Sequence, residues 1–247
     1  SLAAFLFGLL IGSFLNVCIH RLPIKEPVAV SRSRCPSCHH PIRWWDNIPL
    51  FSFLILRGRC RDCGVRISWR YPLVELANGL AYFFLVWRFG LAPQVLVYGV
   101  FVSALLVVTF IDLDHKIIPD RITLPGMIIG LLASAFLLPT GFFNGLLGLL
   151  LGGGLLYGVA VLSRGGMGGG DIKLIAMIGA FLGWKATLLT ILLGALTGSV
   201  VGMFLMIFRG KDRKFPVPFG PFLSLGALTA LFWGSAIWSW YMQWSQF

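Results

Sequence analysis

Charge is what this 247-residue sequence has least of. Only 12% of its residues are Asp, Glu, Lys or Arg, and 57% are hydrophobic. Soluble domains carry roughly 25% charged residues, so the polar surface is too small to cover a water-soluble fold. Acidic residues are the scarcest class, nine against twenty basic ones, for a formal net charge of +11. The apolar–polar alternation over ~10 residues that marks a membrane-spanning strand is missing, which excludes a porin-like barrel. The glycine run at residues 165–170 lacks the Gly-Lys-[Ser/Thr] ending of a phosphate-cradling loop. No glycine fingerprint follows a strand, so a Rossmann nucleotide site is excluded too.

What is present is a series of apolar runs long enough for the ~20-residue helices that cross a bilayer. Hydropathy predicts helices near residues 1–19, 71–87, 93–112, 122–139, 142–162, 172–183, 186–208 and 219–241. The chain therefore reads as an all-α polytopic membrane protein of about eight transmembrane helices, with a small module between the first two. The first run has no basic flank before it and no small-residue cleavage site after it, where Ile19-His-Arg-Leu-Pro23 follows. It is expected to be a retained span, not a removed signal, and Ser1 in place of Met suggests that a few residues precede it.

Eight spans place the loops on alternating sides. Residues 21–70 hold ten of the twenty basic residues, and Lys116, Arg121, Arg164, Lys173, Arg209, Lys211, Arg213 and Lys214 fall on the same side, leaving Arg88 and Lys185 opposite. The positive-inside rule makes the crowded side cytosolic. Both termini are then outside, where Trp238, Trp240, Tyr241 and Trp244 suit an interfacial aromatic belt. The basic excess reads as orientation and attraction to anionic lipids, and no nucleic-acid partner is expected.

The loop of residues 21–70 contains four of the five cysteines, as Cys35-Pro-Ser-Cys38 and Cys60-Arg-Asp-Cys63. Two such pairs bring four thiolates around one tetrahedral Zn²⁺ with ~2.3 Å bonds. Disulfides are the competing reading, but they are rare in the reducing cytosol. Four thiolates leave no open position, so the expected zinc is structural, a staple for a segment with little core of its own. His39 and His40 are expected to be surface residues, and Cys18 a small apolar residue of the first helix.

Glu26, Asp46, Asp62 and Asp212 sit in basic loops, where they are expected to be solvated or paired. Glu75 lies early in the second helix close to Asn78. Asp112, Asp114 and Asp120 cluster at the cytosolic end of the third helix, and Asp171 ends the glycine run and opens the sixth. Carboxylates at membrane depth are costly and suggest function. A helix running inward ends near Asp112 and one running outward begins at Asp171, so two carboxylates arrive at one membrane face. Sharing a site leaves one protonated and one ionised. The ionised member takes a proton from water while the neutral one donates to a carbonyl, the chemistry of an aspartic protease. Gly168 and Gly170 are expected to let an extended peptide approach, and to tolerate positive φ; the competing readings are Asp171 as an N-cap behind a flexible loop and glycines that serve helix packing. Asp112 and Asp114 are two residues apart and do not share a helix face, so at most one of them points at Asp171.

Several motifs then occur in one order: Gly12-Ser-Phe-Leu-Asn-Val17 with Arg21-Leu-Pro23, the two cysteine pairs, Asn47-Ile-Pro-Leu50, Arg57-Gly-Arg-Cys60, Tyr71-Pro-Leu-Val-Glu75, Ile111-Asp112 with Ile118-Pro-Asp120, Gly168-x-Gly-Asp171, and Phe219-Gly-Pro-Phe222. Over nearly its whole length the chain resembles the type IV prepilin peptidases, bifunctional leader peptidases and N-methyltransferases of type IV pilus and type II secretion systems, within the GxGD group of membrane aspartic proteases. The resemblance implies Asp112 and Asp171 as the catalytic pair. It implies cleavage of prepilins and pseudopilins after the glycine that ends a short basic leader, then methylation of the new N-terminal amine from S-adenosylmethionine. It ties the second activity to the segment bearing Cys35, Cys38, Cys60 and Cys63, in a bacterial inner membrane. Residues 1–88 would carry methyl transfer and residues 89–247 the peptidase. Glu75, Asn78 and Asn16 are the candidates for binding the methyl donor, interhelical hydrogen bonds being their competing role. Trp44 and Trp45 are expected to be interfacial anchors. The alternatives are a membrane peptidase without methyl transfer, a non-catalytic secretion scaffold, and a transporter, which would place its carboxylates near the midplane.

Overall fold

The computed structural model describes residues 1–28, 33–163, 166–209 and 217–244. Arg32, Arg164, Gly165, Lys211, Asp212, Arg213 and Lys214, which entered the charge and glycine arguments, lie outside the described residues. The helices are α1 (Leu2–Arg21), the short α2 (Phe51–Ile55), α3 (Arg70–Phe89), α4 (Pro93–His115), α5 (Asp120–Phe136), α6 (Phe142–Leu162), α7 (Gly169–Arg209) and α8 (Gly220–Trp244). Each of the eight expected spans has a counterpart, because α7 is broken at Gly183 into the two shorter runs that hydropathy predicts. Gly183 has φ +78° and ψ 172°, a conformation closed to most side chains. This is an all-helical polytopic membrane protein. Among the described residues, five helices, α1, α4, α6, α7 and α8, are long and apolar enough to cross a membrane by length and composition. α5 stops at Phe136, short of the expected residue 139, because Pro139 disfavours helical backbone in the residue before it.

The chain forms two compact units, Ser1–Val107 and Val108–Phe247, and the boundary falls inside α4. In the first unit α1 packs on α3 through glycine. A Cβ added at Gly8 would lie 2.9 Å from the Gly79 Cα, and one at Gly12 would lie 2.7 Å from the Glu75 Cα. With little hydrophobic drive between helices in lipid, such close backbone approach supplies the packing. Asn78, fully buried, locks the crossing: its amide donates to the Gly8 carbonyl at 2.7 Å and its carbonyl accepts from the Ser103 hydroxyl at 3.0 Å.

Between α1 and α3 the two cysteine pairs fold alike. Cys35 N–H donates to the His40 carbonyl and His39 N–H to the Cys35 carbonyl; Cys60 N–H donates to the Val65 carbonyl and Gly64 N–H to the Cys60 carbonyl. Each turn is closed by an isolated antiparallel bridge, Arg34 with Pro41 and Arg59 with Arg66.

The second unit is assembled the same way. Gly145, Gly148 and Gly152 line one face of α6 against α7, where a Cβ at Gly145 would come within 2.8 Å of the Ala180 carbonyl oxygen. α5 lays Gly130 against Phe181, and α8 lays Gly226 against Thr190. Leu174, Ile175, Met177 and Ile178 at the start of α7 are fully buried. That packing fixes the end of α7 that bears Asp171.

Candidate active site and metal centre

Asp112 lies one turn before the end of α4 and is 5% exposed. Asp171 lies in the first turn of α7. Both face one cavity of about 280 Å³, lined also by Lys116, Ile118, Asp120 and Gly168, and their carboxylates are close enough for the charges to interact. Asp114, the other carboxylate in the Asp112 sequence cluster, is exposed and does not line the cavity. A helix continuous through residues 112–114 turns the two side chains apart, so the geometry brings together the pair that the sequence brought into question.

Asp112 is held from a third element. The Gly220 N–H, at the start of α8, donates to its Oδ2 at 2.8 Å. The negative end of the α4 dipole disfavours charge at this position, and the positive start of α8 offsets it. Sequence reasoning met Gly220 only as part of a motif and gave it no role. Asp120 is engaged as well, since the Lys173 Nζ donates to both of its oxygens, at 2.8 and 2.7 Å.

The glycine run does not use the positive φ expected of it. Neither Gly168 nor Gly170 has positive φ. A Cβ at Gly170 would lie 2.8 Å from the Ile118 Cβ, and one at Gly168 would lie 3.2 Å from Asp171 Oδ2. Close approach, of Ile118 in one case and of the carboxylate in the other, is what the two positions require.

In the first unit the Sγ atoms of Cys35, Cys38, Cys60 and Cys63 lie within 4.8 Å of one another, and Cys35 and Cys63 are 3.9 Å apart. Tetrahedral bonds of ~2.3 Å to a metal require sulfur–sulfur edges of ~3.8 Å, so the four thiols can hold a metal ion. Backbone N–H groups of Cys38 and Ser37 pull the Cys35 thiol down to about 7. Cys38 receives the His40 N–H, yet burial and the neighbouring sulfurs push it up to about 12. Four sulfurs cannot all ionise without a cation among them. His39 and His40 are exposed and stand outside the cluster. Asp46 is not simply solvated: Arg61, inside the second cysteine pair, grips it with three hydrogen bonds of 2.6–3.1 Å.

A second cavity, of about 410 Å³, lies between this module and helices α1 and α3. Glu75 and Asn16 line it and Asn78 does not. Asn16 donates to the Tyr71 and Gly12 carbonyls. Trp44 and Trp45 stack edge to face outside the cavity and are 77% and 45% exposed.

Comparison with known proteins decides the family. Residues 99–203 match the Type IV leader peptidase family, and residues 6–89 match the Bacterial Peptidase A24 N-terminal domain. The prepilin leader peptidase/N-methyltransferase of Stutzerimonas stutzeri is 40% identical over 99% of this chain and 94% of its own length. Proteins of the same description from Pseudomonas aeruginosa, 39% identical over 100% and 94%, and from Aeromonas hydrophila, 40% identical over 96% and 92%, align equally fully.

The chain belongs to the type IV leader peptidase family. No solved structure matches it. Membership makes it an enzyme and a leader peptidase, and the relatives' names join N-methyltransferase to that activity. Asp112, Asp171 and the Lys173-paired Asp120 line one cavity in its second unit.

Proposed function

We propose that this leader peptidase cleaves prepilins and pseudopilins at the cytosolic face of the bacterial inner membrane with Asp112 and Asp171, then methylates the new N-terminal amine with S-adenosylmethionine. The observation that carries the peptidase half is the shared cavity of the two carboxylates. An aspartic pair needs one ionised and one neutral member. The ionised carboxylate takes a proton from the attacking water, the neutral one donates to the scissile carbonyl, and the roles reverse as the tetrahedral intermediate expels the amine. Gly168 leaves one side of Asp171 free of bulk, where an extended peptide backbone can lie.

Residues 89–247 carry that chemistry, and residues 1–88 carry methyl transfer. Cys35, Cys38, Cys60 and Cys63 hold a structural Zn²⁺ that staples the module. The donor supplies a methyl group on a positive sulfonium. Glu75 and Asn16 bind within the 410 Å³ cavity, a size that suits a small-molecule ligand. Asn78 supports them by fixing α1 on α3. Support for the orientation comes from the charge asymmetry, which puts the module and the acid pair on the cytosolic side and both termini outside.

The test is leader cleavage in purified membranes. Asp112→Asn and Asp171→Asn each remove cleavage of a model prepilin, followed as the mass of the product, while both variants retain metal in the four-cysteine module. Full cleavage by either variant overturns the acid pair. A scaffold would keep its assembly role in both variants and cleave nothing even as wild type.

A further inference from the structure

Glu75 occupies an unusual position for a membrane-helix carboxylate. It is 9% exposed, faces the 410 Å³ cavity, and among the described residues has no cation within ion-pair distance. Neutral groups hold it instead. The Leu50 N–H donates to its Oε2 at 2.9 Å, and the Ser13 hydroxyl is hydrogen-bonded to the same carboxylate. A buried anion without a counter-charge is costly.

The backbone that presents the Leu50 N–H is itself costly. Leu50 has φ +61° and ψ −48°, and the Phe51 N–H reaches back to the Pro49 carbonyl at 2.7 Å. That is a γ-turn of the rare positive-φ kind, here on a β-unbranched but bulky residue. Strain of this kind persists where the surroundings over-determine it and gathers at functional sites. Both costs are met at one carboxylate in the lining of a cavity. The same lining carries guanidinium groups, among them Arg34 and Arg66 on exposed chains.

We propose that Glu75 receives the α-ammonium of the cleaved pilin and takes its proton for methyl transfer, the cavity holding the peptide's amino end beside the donor. This rests on the reading of the cavity as the donor site. An ammonium group offers N–H donors and a positive charge, and so answers both needs of an unpaired, hydrogen-bonding carboxylate. A sulfonium has no hydrogen to donate, and the donor's own carboxylate suits the arginines of the lining. The ammonium passes one proton to Glu75, which cancels both buried charges. The freed nitrogen lone pair then forms the N–C bond as the C–S bond breaks, the sulfur keeping the electron pair. The product is a secondary ammonium, and Glu75 returns its proton to water.

The experiment uses full-length enzyme in detergent with mature pilin peptide and S-adenosylmethionine. Glu75→Gln keeps an acceptor for Leu50 but loses the charge. It lowers methyl incorporation at least 100-fold at saturating donor, and mature unmethylated pilin accumulates. Wild-type enzyme is inhibited at least tenfold better by a short mature peptide with a free amine than by its N-acetylated form, and Glu75→Gln loses that preference. Methylation by Glu75→Gln within threefold of wild type, or equal inhibition by the two peptides, overturns the role of Glu75. The peptide comparison stands on wild-type enzyme alone if the variant folds poorly. An azido derivative of S-adenosylmethionine tests the underlying reading separately: labelling of cavity residues supports it, and labelling elsewhere defeats it whatever Glu75→Gln does.

Discussion

The Gly220 N–H and Asp112 Oδ2 are 2.8 Å apart, and a Cβ added at Gly220 would lie 2.8 Å from the same oxygen. The residue that steadies the carboxylate must therefore be glycine. Gly220→Ala pushes Asp112 out of register with Asp171, and misplacement on the scale of 1 Å costs catalysis about 10²-fold. Prepilin cleavage should fall at least tenfold in kcat with KM little changed, while metal content and methylation of pre-cleaved pilin persist. Wild-type cleavage by Gly220→Ala would remove Gly220 from the site.

Cys60→Ser opens the metal cluster. Metal binding supplies folding free energy to small modules, so the variant should lose bound metal, measured by elemental analysis. Its methylation should fall at least as far as its cleavage, since the 410 Å³ cavity is walled by the module. Retention of both metal and methylation would refute the staple.

The Arg61–Asp46 pair gives the module a pH dependence. Hydrogen bonds from Arg61 hold the Asp46 carboxyl below its ordinary value of 3.8. A carboxyl lowered in the folded state contributes stability that is full above that value and fades as pH falls through the lower folded one. The wild-type module should loosen below about pH 4 in a way that Asp46→Asn does not, with Trp44 and Trp45 fluorescence as the probe. At neutral pH Asp46→Asn should be the less stable of the two, and the two should converge in acid. Parallel acid curves would sink the linkage.

Gly179 on α7 sits directly against the Gly148 carbonyl of α6, with no room for a Cβ. Overpacking of this kind costs about 1–3 kcal/mol, or about 2–12 °C in melting temperature for a chain of this size. Gly179→Ala should melt earlier by that range in a detergent scan. Gly154→Ala, where an added Cβ meets nothing within 4 Å, is the control and should not.

Composition and spacing were enough for the helices, because lipid tolerates only segments that satisfy their own backbone hydrogen bonds, and such segments announce themselves as apolar runs. Even the break in α7 was readable, as the gap between the runs 172–183 and 186–208. The four cysteines were readable because their ligand spacing is local. Asp112, Asp114, Asp120 and Asp171 could be picked out by scarcity alone. Their separation into an exposed Asp114 and three that line one cavity, of which Asp120 is paired with Lys173, could not.

That separation depends on where helices distant in sequence come to rest. Gly220 lies 108 residues from Asp112, and no local pattern records that its N–H ends on that carboxylate. Glu75 and Leu50 are joined in the same way, through a strained turn whose partner lies on another element. The order of residues was sufficient to mark the segments that enter the membrane and the side chains too costly to be there without a purpose. Which of those side chains meet was left to the packed helices, because close approach through glycine is a property of two surfaces and is written in neither one alone.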